Sequence, residues 1–212
     1  MQVEDYLNIR NTARELASKI LNYNTDSKNA MIYAGKLLGF WNGDSMVFDS
    51  DEESDVLMDF LIYEKNKLGQ RLIDLFYDSD IELTDIEEDI LEGQVEYHAS
   101  LFEILQTNQT NYTLVLRDLL SVDKPEFTLM DMGLSQTGNQ GLLLYTRLIP
   151  ILEINMTSGV SFGFESNKKE QLLDDISLEQ FKKRRKLDST DLFLLTHKKR
   201  KLYGREIFKI ET

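Results

Sequence analysis

Apolar residues recur at three- and four-residue intervals through the first 97 residues, which is the spacing of one face of a helix. The clearest stripe comprises Tyr6, Ile9, Ala13, Leu16, Ala17 and Ile20. Two pairs with capping-box spacing, Ser50 with Glu53 and Thr84 with Glu87, stand before later apolar runs and mark helix starts. The sequence therefore predicts that residues 1–97 form a helical region.

The pattern changes after residue 97 to short runs rich in β-branched, leucine and aromatic residues. Five such runs cover Ser100–Gln106, Tyr112–Leu120, Glu126–Met132, Leu142–Leu152 and Val160–Glu165. Stretches typical of turns separate them, at residues 107–111, 122–125, 135–141 and 155–159. Five short strands joined by turns predict a small antiparallel β-barrel or curled sheet, because closing a sheet removes its exposed edges.

The last part of the chain returns to a helical composition and then becomes strongly basic. Residues 168–186 place several apolar side chains roughly on one helix face, namely Leu172, Leu173, Ile176 and Phe181. Residues 189–212 contain the apolar run Leu192–Leu195 and the segment Tyr203–Ile210, which together suggest two strands around a basic turn.

These patterns predict an α+β protein. A helical region, residues 1–97, packs with a small five-stranded β-domain, residues 98–166, and a C-terminal helix with a basic tail follows in residues 167–212. At this length the three segments are either separate units or parts of one compact domain.

Composition narrows the chemistry that the chain can support. Hydrophobic residues make up 42% of the 212 residues and charged residues 29%, values typical of a folded globular protein. The absence of cysteine excludes disulfides, iron–sulfur clusters, thiolate zinc sites and cysteine nucleophiles. The two histidines, His98 and His197, are far apart in sequence, which excludes a histidine-pair zinc motif. We expect no metal and no cofactor. The sequence identifies no catalytic residues, so these are unknown if the protein is an enzyme.

A short apolar string resembles a strand of a family of uncharacterised bacterial proteins. The string reads Leu114-Val115-Leu116-Arg117-Asp118-Leu119-Leu120. An acidic helical region precedes it, Tyr145-Thr146-Arg147-Leu148-Ile149-Pro150 follows it, and the likeness extends over residues 40–165. Some members of that family carry a cysteine-rich SecA-type zinc motif, from which this chain departs because it lacks cysteine. The resemblance implies a fold and implies no activity.

Charge is distributed unevenly along the chain. The 24 basic and 37 acidic residues give a net charge of −13, yet residues 181–212 alone hold eleven basic and four acidic residues. That segment is therefore +7, which leaves −20 for residues 1–180. The candidate partner-binding residues form two clusters, Lys182, Lys183, Arg184, Arg185 and Lys186, then Lys198, Lys199, Arg200 and Lys201.

Three interpretations of the basic clusters stay open. They bind the phosphates of a nucleic acid, with Phe181, His197 and Tyr203 available for stacking. Alternatively, they contact an acidic protein surface, on a partner or on this chain. In the third interpretation they are a solvated helix end. The −20 of the remaining residues disfavours nucleic acid, because it repels phosphates within a Debye length of about 8–10 Å.

A second group of candidate residues lies inside the strand patterns. Arg117, Asp118 and Arg147 are charged residues within apolar runs, where such residues either pair across the sheet or line a ligand cleft. A cleft assembled from residues far apart in sequence leaves no local motif, so an enzyme or ligand binder remains a third class of function.

The compartment and the preferred function follow from what the sequence lacks. The first five residues carry acid where an export signal carries lysine or arginine, and no run of 18 apolar residues occurs. We expect a cytoplasmic protein that does not span a membrane. The preferred interpretation is a non-enzymatic protein-interaction module with a basic C-terminal contact segment, and the alternative is a nucleic-acid-associated accessory protein.

Overall fold

The computed structural model describes residues 3–24 and 27–205. The chain divides into two compact units, Met1–Tyr97 and His98–Thr212. The first unit is helical, and the second unit contains a closed sheet together with the C-terminal helices. Within the described residues, no helix combines the length and the apolar character needed to cross a membrane.

Helices account for the regular structure of the first unit over its described residues. They are α1 (Val3–Tyr23), α2 (Ser27–Leu38), α3 (Asp51–Tyr63), α4 (Leu72–Tyr77) and α5 (Asp85–Val95). Four residues of the predicted α1 stripe, Tyr6, Ile9, Leu16 and Ile20, are buried. The helical prediction for this region is therefore confirmed, and its apolar periodicity is what buries one face of α1.

The two predicted capping boxes differ in outcome. At the start of α5, the backbone N–H of Thr84 donates to Oε2 of Glu87 at 3.0 Å, as the spacing predicts. At the start of α3, the side chain of Ser50 makes no capping hydrogen bond, and Glu53 accepts instead from the backbone N–H of Asp49 at 2.8 Å. Both arrangements hold a carboxylate near the positive end of the helix macrodipole.

A closed five-stranded sheet forms the centre of the second unit. Its elements in chain order are β1 (His98–Asn108), β2 (Thr113–Asp118), β3 (Glu126–Met130), α6 (Met132–Thr137), β4 (Leu143–Ile151), β5 (Ile154–Phe164), α7 (Lys169–Lys183) and α8 (Ser189–Tyr203). The strands close into a ring in the order β1-β2-β3-β5-β4, and β4 pairs back with β1. The predicted α+β class is confirmed.

The sheet is mixed, whereas the sequence predicted an antiparallel one. Four neighbouring pairs are antiparallel, but β3 and β5 run parallel where Leu129 lies beside Asn155. A ring of five strands cannot alternate in direction at every pair, because five is odd. Closing five strands therefore requires at least one parallel pair. The predicted small five-stranded sheet is confirmed, and the parallel β3–β5 pair corrects the prediction that it is antiparallel.

The period-two alternation of the strands fills the ring with apolar side chains. This interior cluster comprises Phe102, Ile104, Leu114, Leu116, Leu129, Leu134, Leu142, Leu144 and Leu148. Leu134 comes from α6, so this short helix contributes to the cluster beside Ile104 and Leu114. Near the start of β1 and at the end of β2, the same alternation buries Ser100 and Asp118. The interior of the closed sheet is therefore polar at this end.

Two stretches that the sequence indicated as turns have regular structure. The first, residues 135–141, overlaps α6, whose N-cap Asp131 accepts a hydrogen bond from the backbone N–H of Leu134 at 2.8 Å. The second, residues 155–159, lies inside β5. The chain reverses earlier, at Leu152, and Gly159 with φ 112° lies where the register between β4 and β5 shifts. The glycine therefore serves a bulge rather than a turn.

The C-terminal segment is helical rather than extended. The residues predicted to form a strand at Leu192–Leu195 lie in α8, which buries Leu192, Phe193, Thr196 and His197 at helical spacing. Phe193 contacts the rings of Tyr145 in β4 and Phe162 in β5, so α8 packs against the outside of the closed sheet. The prediction of a strand at Leu192–Leu195 was wrong, and residues 206–210 of the second predicted strand, Tyr203–Ile210, lie outside the described residues.

Candidate functional site

A cavity of about 360 Å³ opens at the polar end of the closed sheet. The start of β1, the end of β2 and the turn that follows β2 line one side. Residues of α7, the connection from α7 to α8, and the start of α8 line the other side. All of these elements belong to the second unit. The volume is at the lower end of the range for pockets that bind small molecules.

Asp118 is the polar centre of this cavity. Its carboxylate is buried and accepts hydrogen bonds from Oγ of Ser100 at 2.6 Å, Oγ of Ser121 at 2.7 Å and the backbone N–H of Leu120 at 2.8 Å. Nε2 of His98 lies 2.8 Å from the same carboxylate. Four residues, two in β1 and two in the turn after β2, thus converge on one buried carboxylate.

These contacts determine the charge of Asp118. Burial by itself would raise the pKa of Asp118, but the hydrogen bonds from His98, Ser100, Ser121 and Leu120 outweigh burial and hold the pKa well below its ordinary value. Asp118 is therefore ionised at neutral pH. An ionised carboxylate only accepts hydrogen bonds, so Nε2 of His98 must carry the proton that lies between the two groups.

The imidazole of His98 is held in place and remains accessible. It stacks on Phe127 with a ring-centroid distance of 5.5 Å and contacts the edge of Phe102 at 5.9 Å, while its side chain is 45% exposed. With Nε2 bound to Asp118, the neutral ring has its lone pair on Nδ1. A carboxylate that fixes the tautomer and orientation of an imidazole is a common device at binding and catalytic sites.

The cavity does not contain the geometry of a serine hydrolase. In such a triad the serine hydroxyl bonds to the histidine, and the aspartate bonds to the other ring nitrogen. Here the hydroxyls of Ser100 and Ser121 both donate to Asp118. Among the residues that the structure describes, no group of three histidine, aspartate or glutamate side chains has a geometry that could hold a metal ion.

The three residues of the predicted cleft do not come together. Asp118 lines the cavity, whereas the guanidinium of Arg117 pairs with Glu126 at 2.9 Å on the exposed side of β2 and β3. Arg147 is buried, at 1% exposure, and its guanidinium carbon lies 5.7 Å from the ring centroid of Phe193. Neither arginine lines the cavity. One of the three predicted residues therefore belongs to this candidate site.

Acidic residues of α7 and α8 partly neutralise the first basic cluster, Lys182–Lys186. Asp191 lies 2.9 Å from Lys183 and 2.6 Å from Arg185. Lys182 lies 3.5 Å from Glu179, and the side chain of Lys182 is exposed while that of Glu179 is partly buried. Arg184 and Lys186 have no ion pair with a described residue, and Lys186 lines the cavity. The cluster therefore contains both paired and available cations.

The second basic cluster is more involved in packing. Nζ of Lys199 lies 2.6 Å from Asp175 of α7, and the guanidinium carbon of Arg200 lies 5.6 Å from the ring centroid of Phe162. Lys198 and Lys201 are exposed. These contacts join α7 to α8 and α8 to β5, so part of the basic character of this segment has a structural role.

The sequence did not indicate that His98, Ser100 and Ser121 lie near Asp118. The relevant signal is the alternation in β1, in which His98 and Ser100 share a face with the buried Phe102. The register that places Phe102 opposite Asp118 is a property of strand pairing and is not visible in either strand alone.

Comparison with known proteins gives a family but no activity. The model of a family of unknown function, DUF7986, matches residues 1–210. No curated protein and no solved structure matches the chain. The expectation of an uncharacterised family is confirmed, and the chain belongs to the family of unknown function DUF7986.

Proposed function

We propose that the chain is a protein-interaction module that binds an acidic, partly apolar segment of a protein partner at the end of α7. The residues that would make this contact are Leu178, Phe181, Lys182 and Arg184, which we call the α7 corner. The proposal assigns a role to the first basic cluster and combines it with apolar side chains that lie beside it.

The single observation that carries the proposal is the exposure of Phe181. Its side chain is 81% exposed, and Leu178, one helical turn earlier, is 52% exposed. The opposite face of α7 buries Leu172 and Ile176. Residues at i and i+3 share a helix face, so the two exposed apolar side chains form one small patch. Aromatic residues are enriched in the centres of protein interfaces.

Charge at the α7 corner indicates the chemistry of the partner. Arg184 ends α7 in the left-handed conformation, φ 52°, and has no ion pair with a described residue. Lys182 pairs with Glu179 at 3.5 Å, a long contact at the surface of the kind that contributes about 0–1 kcal/mol. Both cations are available to a carboxylate of a partner, and complementary charge increases association rates and selects partners.

A short acidic protein segment fits this corner better than a nucleic acid does. A nucleic acid carries a phosphate every few ångströms along its whole length and needs an extended basic track. The first basic cluster is interrupted by its pairs with Asp191, and the second unit as a whole holds 16 basic and 15 acidic residues. A protein segment requires only two or three carboxylates next to an apolar residue.

The test is affinity capture with the full chain as bait, followed by reconstitution with the purified partner. We expect one protein in stoichiometric amount. The double variant Phe181→Ala with Arg184→Gln should bind the reconstituted partner at least about tenfold more weakly, because each truncation removes a contact of about 1 kcal/mol. Leu152→Ala and Lys67→Gln, which remove an exposed leucine and an exposed lysine elsewhere, are the matched controls.

Three results would contradict the proposal. These are capture of no protein, equal binding by the double variant, and equal loss in the two controls. Binding of a 15-nucleotide single strand with an affinity that falls steeply with salt, and that Phe181→Ala abolishes, would favour the nucleic-acid alternative instead. Far-ultraviolet circular dichroism of each variant excludes loss of fold as the cause.

A further inference from the structure

We propose that the cavity at the polar end of the closed sheet binds a small organic acid that also carries a hydroxyl group. The hydroxyl donates to Nδ1 of His98, the carboxylate pairs with Lys186, and the carbon chain lies against apolar residues between them. This site is distinct from the α7 corner, and it does not depend on the function proposed above.

The preference for a hydroxyl follows from the state of His98. Asp118 is ionised and accepts a hydrogen bond from Nε2–H of His98, so the neutral ring presents an acceptor at Nδ1. Nδ1 has no partner among the residues that the structure describes. The two aromatic contacts fix the ring plane, which means that a ligand need not order the side chain when it binds.

The preference for a carboxylate follows from Lys186. This residue lines the cavity in the connection between α7 and α8, is exposed, and has no ion pair with a described residue. The negative charge of Asp118 is already met by four hydrogen-bond donors within the protein. The unmatched charge of the cavity is therefore positive, and a ligand anion would complement it.

Part of the cavity wall is apolar. Leu119, Ile176, Leu187 and Leu192 line it and are each less than 10% exposed. Ser177 and Gln180 add polar groups on the α7 side. Apolar walls with a few placed polar groups are the usual composition of a small-molecule site. A ligand with polar groups at both ends and a short hydrocarbon body matches this arrangement.

The experiment measures binding of ω-hydroxy carboxylates with four, six and eight carbons to the full chain by isothermal titration calorimetry and heteronuclear NMR. The same-length carboxylates without the hydroxyl and the same-length diols are the matched probes. We expect at least one hydroxy acid to bind in the millimolar range or tighter and about tenfold more tightly than either matched probe. The changes in NMR chemical shift on binding should be largest at residues 98–100 and 118–121.

Two variants assign the contacts to individual residues. Lys186→Met should remove the advantage of the hydroxy acid over the diol, and His98→Phe, which keeps a ring over Phe127, should remove its advantage over the simple carboxylate. Lys198→Met, which removes an exposed lysine that belongs neither to the cavity lining nor to the α7 corner, is the control. Thermal unfolding of each variant checks the fold, and the behaviour of Lys186→Met keeps the test valid if His98→Phe is unstable.

The proposal is overturned if none of the hydroxy acids binds at 10 mM, or if the matched probes bind as tightly as the hydroxy acids. It is also overturned if Lys186→Met leaves the selectivity unchanged. Partner capture through the α7 corner should be the same in His98→Phe as in the original protein, so failure of one proposal can be told from failure of the other.

Discussion

Asp118 ends β2 and fixes the turn that follows it. The backbone N–H of Leu120 and the hydroxyl of Ser121 both donate to its carboxylate, which gives the chain a local turn held by a side chain. The same carboxylate reaches across to β1 through Ser100 and His98. Asp118 therefore connects a turn to a neighbouring strand, and its charge has a role in stability as well as in the cavity.

Replacing Asp118 with asparagine should destabilise the protein by about 2–3 kcal/mol at pH 7. An amide keeps the shape but is neutral and replaces one acceptor oxygen with a donor. Every donor therefore loses its charged partner, and at least two donors lose their acceptor. Urea denaturation followed by circular dichroism measures the change. The control is Asp123→Asn, an exposed aspartate in the same connection, for which we expect a change below about 0.5 kcal/mol.

The cost of the Asp118→Asn change should depend on pH. The folded pKa of Asp118 lies below that of an aspartate in an unfolded chain, about 3.9. Its contribution to stability is complete above the unfolded pKa and is lost as the pH falls toward the folded pKa. We therefore expect the difference in unfolding free energy to shrink as the pH falls from 4 to 2.5. A difference that stays constant throughout would show that the charge of Asp118 contributes nothing.

At this scale the sequence singled out two residues of the cavity lining, Asp118 and Lys186, and missed the hydrogen-bond partners of Asp118. Asp118 attracts attention as a charge in an apolar strand, and the structure places it in the cavity. Arg117 and Arg147 were candidates for the same reason, but Arg117 pairs with Glu126 on the surface and Arg147 lies over the ring of Phe193. A charged residue within an apolar strand indicates that its side chain has a specific partner. Only the pairing of the strands decides whether that partner lies in a cavity, on the surface or in the core.

The elements of the second unit show how far local patterns can be read. Each of the five strands overlaps a run of β-branched, leucine and aromatic residues that predicts it, although β5 begins at Ile154, before its predicted run and in a stretch that the sequence indicated as a turn. α8 was missed because a run of four apolar residues fits either a strand or a helix. The helical period becomes visible only when Thr196 and His197, a buried hydroxyl and a buried imidazole, are counted with Leu192 and Phe193.

Phe193 tests whether α8 is an integral part of the second unit. Its side chain is fully buried and contacts the rings of Tyr145 and Phe162 and the guanidinium of Arg147. Phe193→Ala should lower the unfolding free energy by about 3–5 kcal/mol, because it removes packing and leaves a cavity. Chemical denaturation measures this. Leu202→Ala, at the exposed end of the same helix, should change the free energy by less than about 0.5 kcal/mol.

At the scale of the whole molecule, the two units differ strongly in net charge. Residues 1–97 hold 22 acidic and 8 basic residues, a net charge of −14, whereas residues 98–212 hold 15 acidic and 16 basic residues, a net charge of +1. The sequence alone showed a basic end on an acidic chain. The structure assigns the basic end to a nearly neutral unit, so the entire anionic excess belongs to the helical unit.

This distribution predicts how salt affects stability. Like charges gathered in one compact unit repel one another, and dissolved ions screen that repulsion. We expect the midpoint of thermal unfolding to rise between 20 and 300 mM sodium chloride. At 20 mM, Glu82→Gln, which removes an exposed charge from the helical unit, should raise stability by a few tenths of a kcal/mol. Glu153→Gln removes the same group from the nearly neutral unit and should have a smaller effect. A fall in the unfolding midpoint with salt, or an equal gain from both substitutions, would show that repulsion within the helical unit does not limit stability.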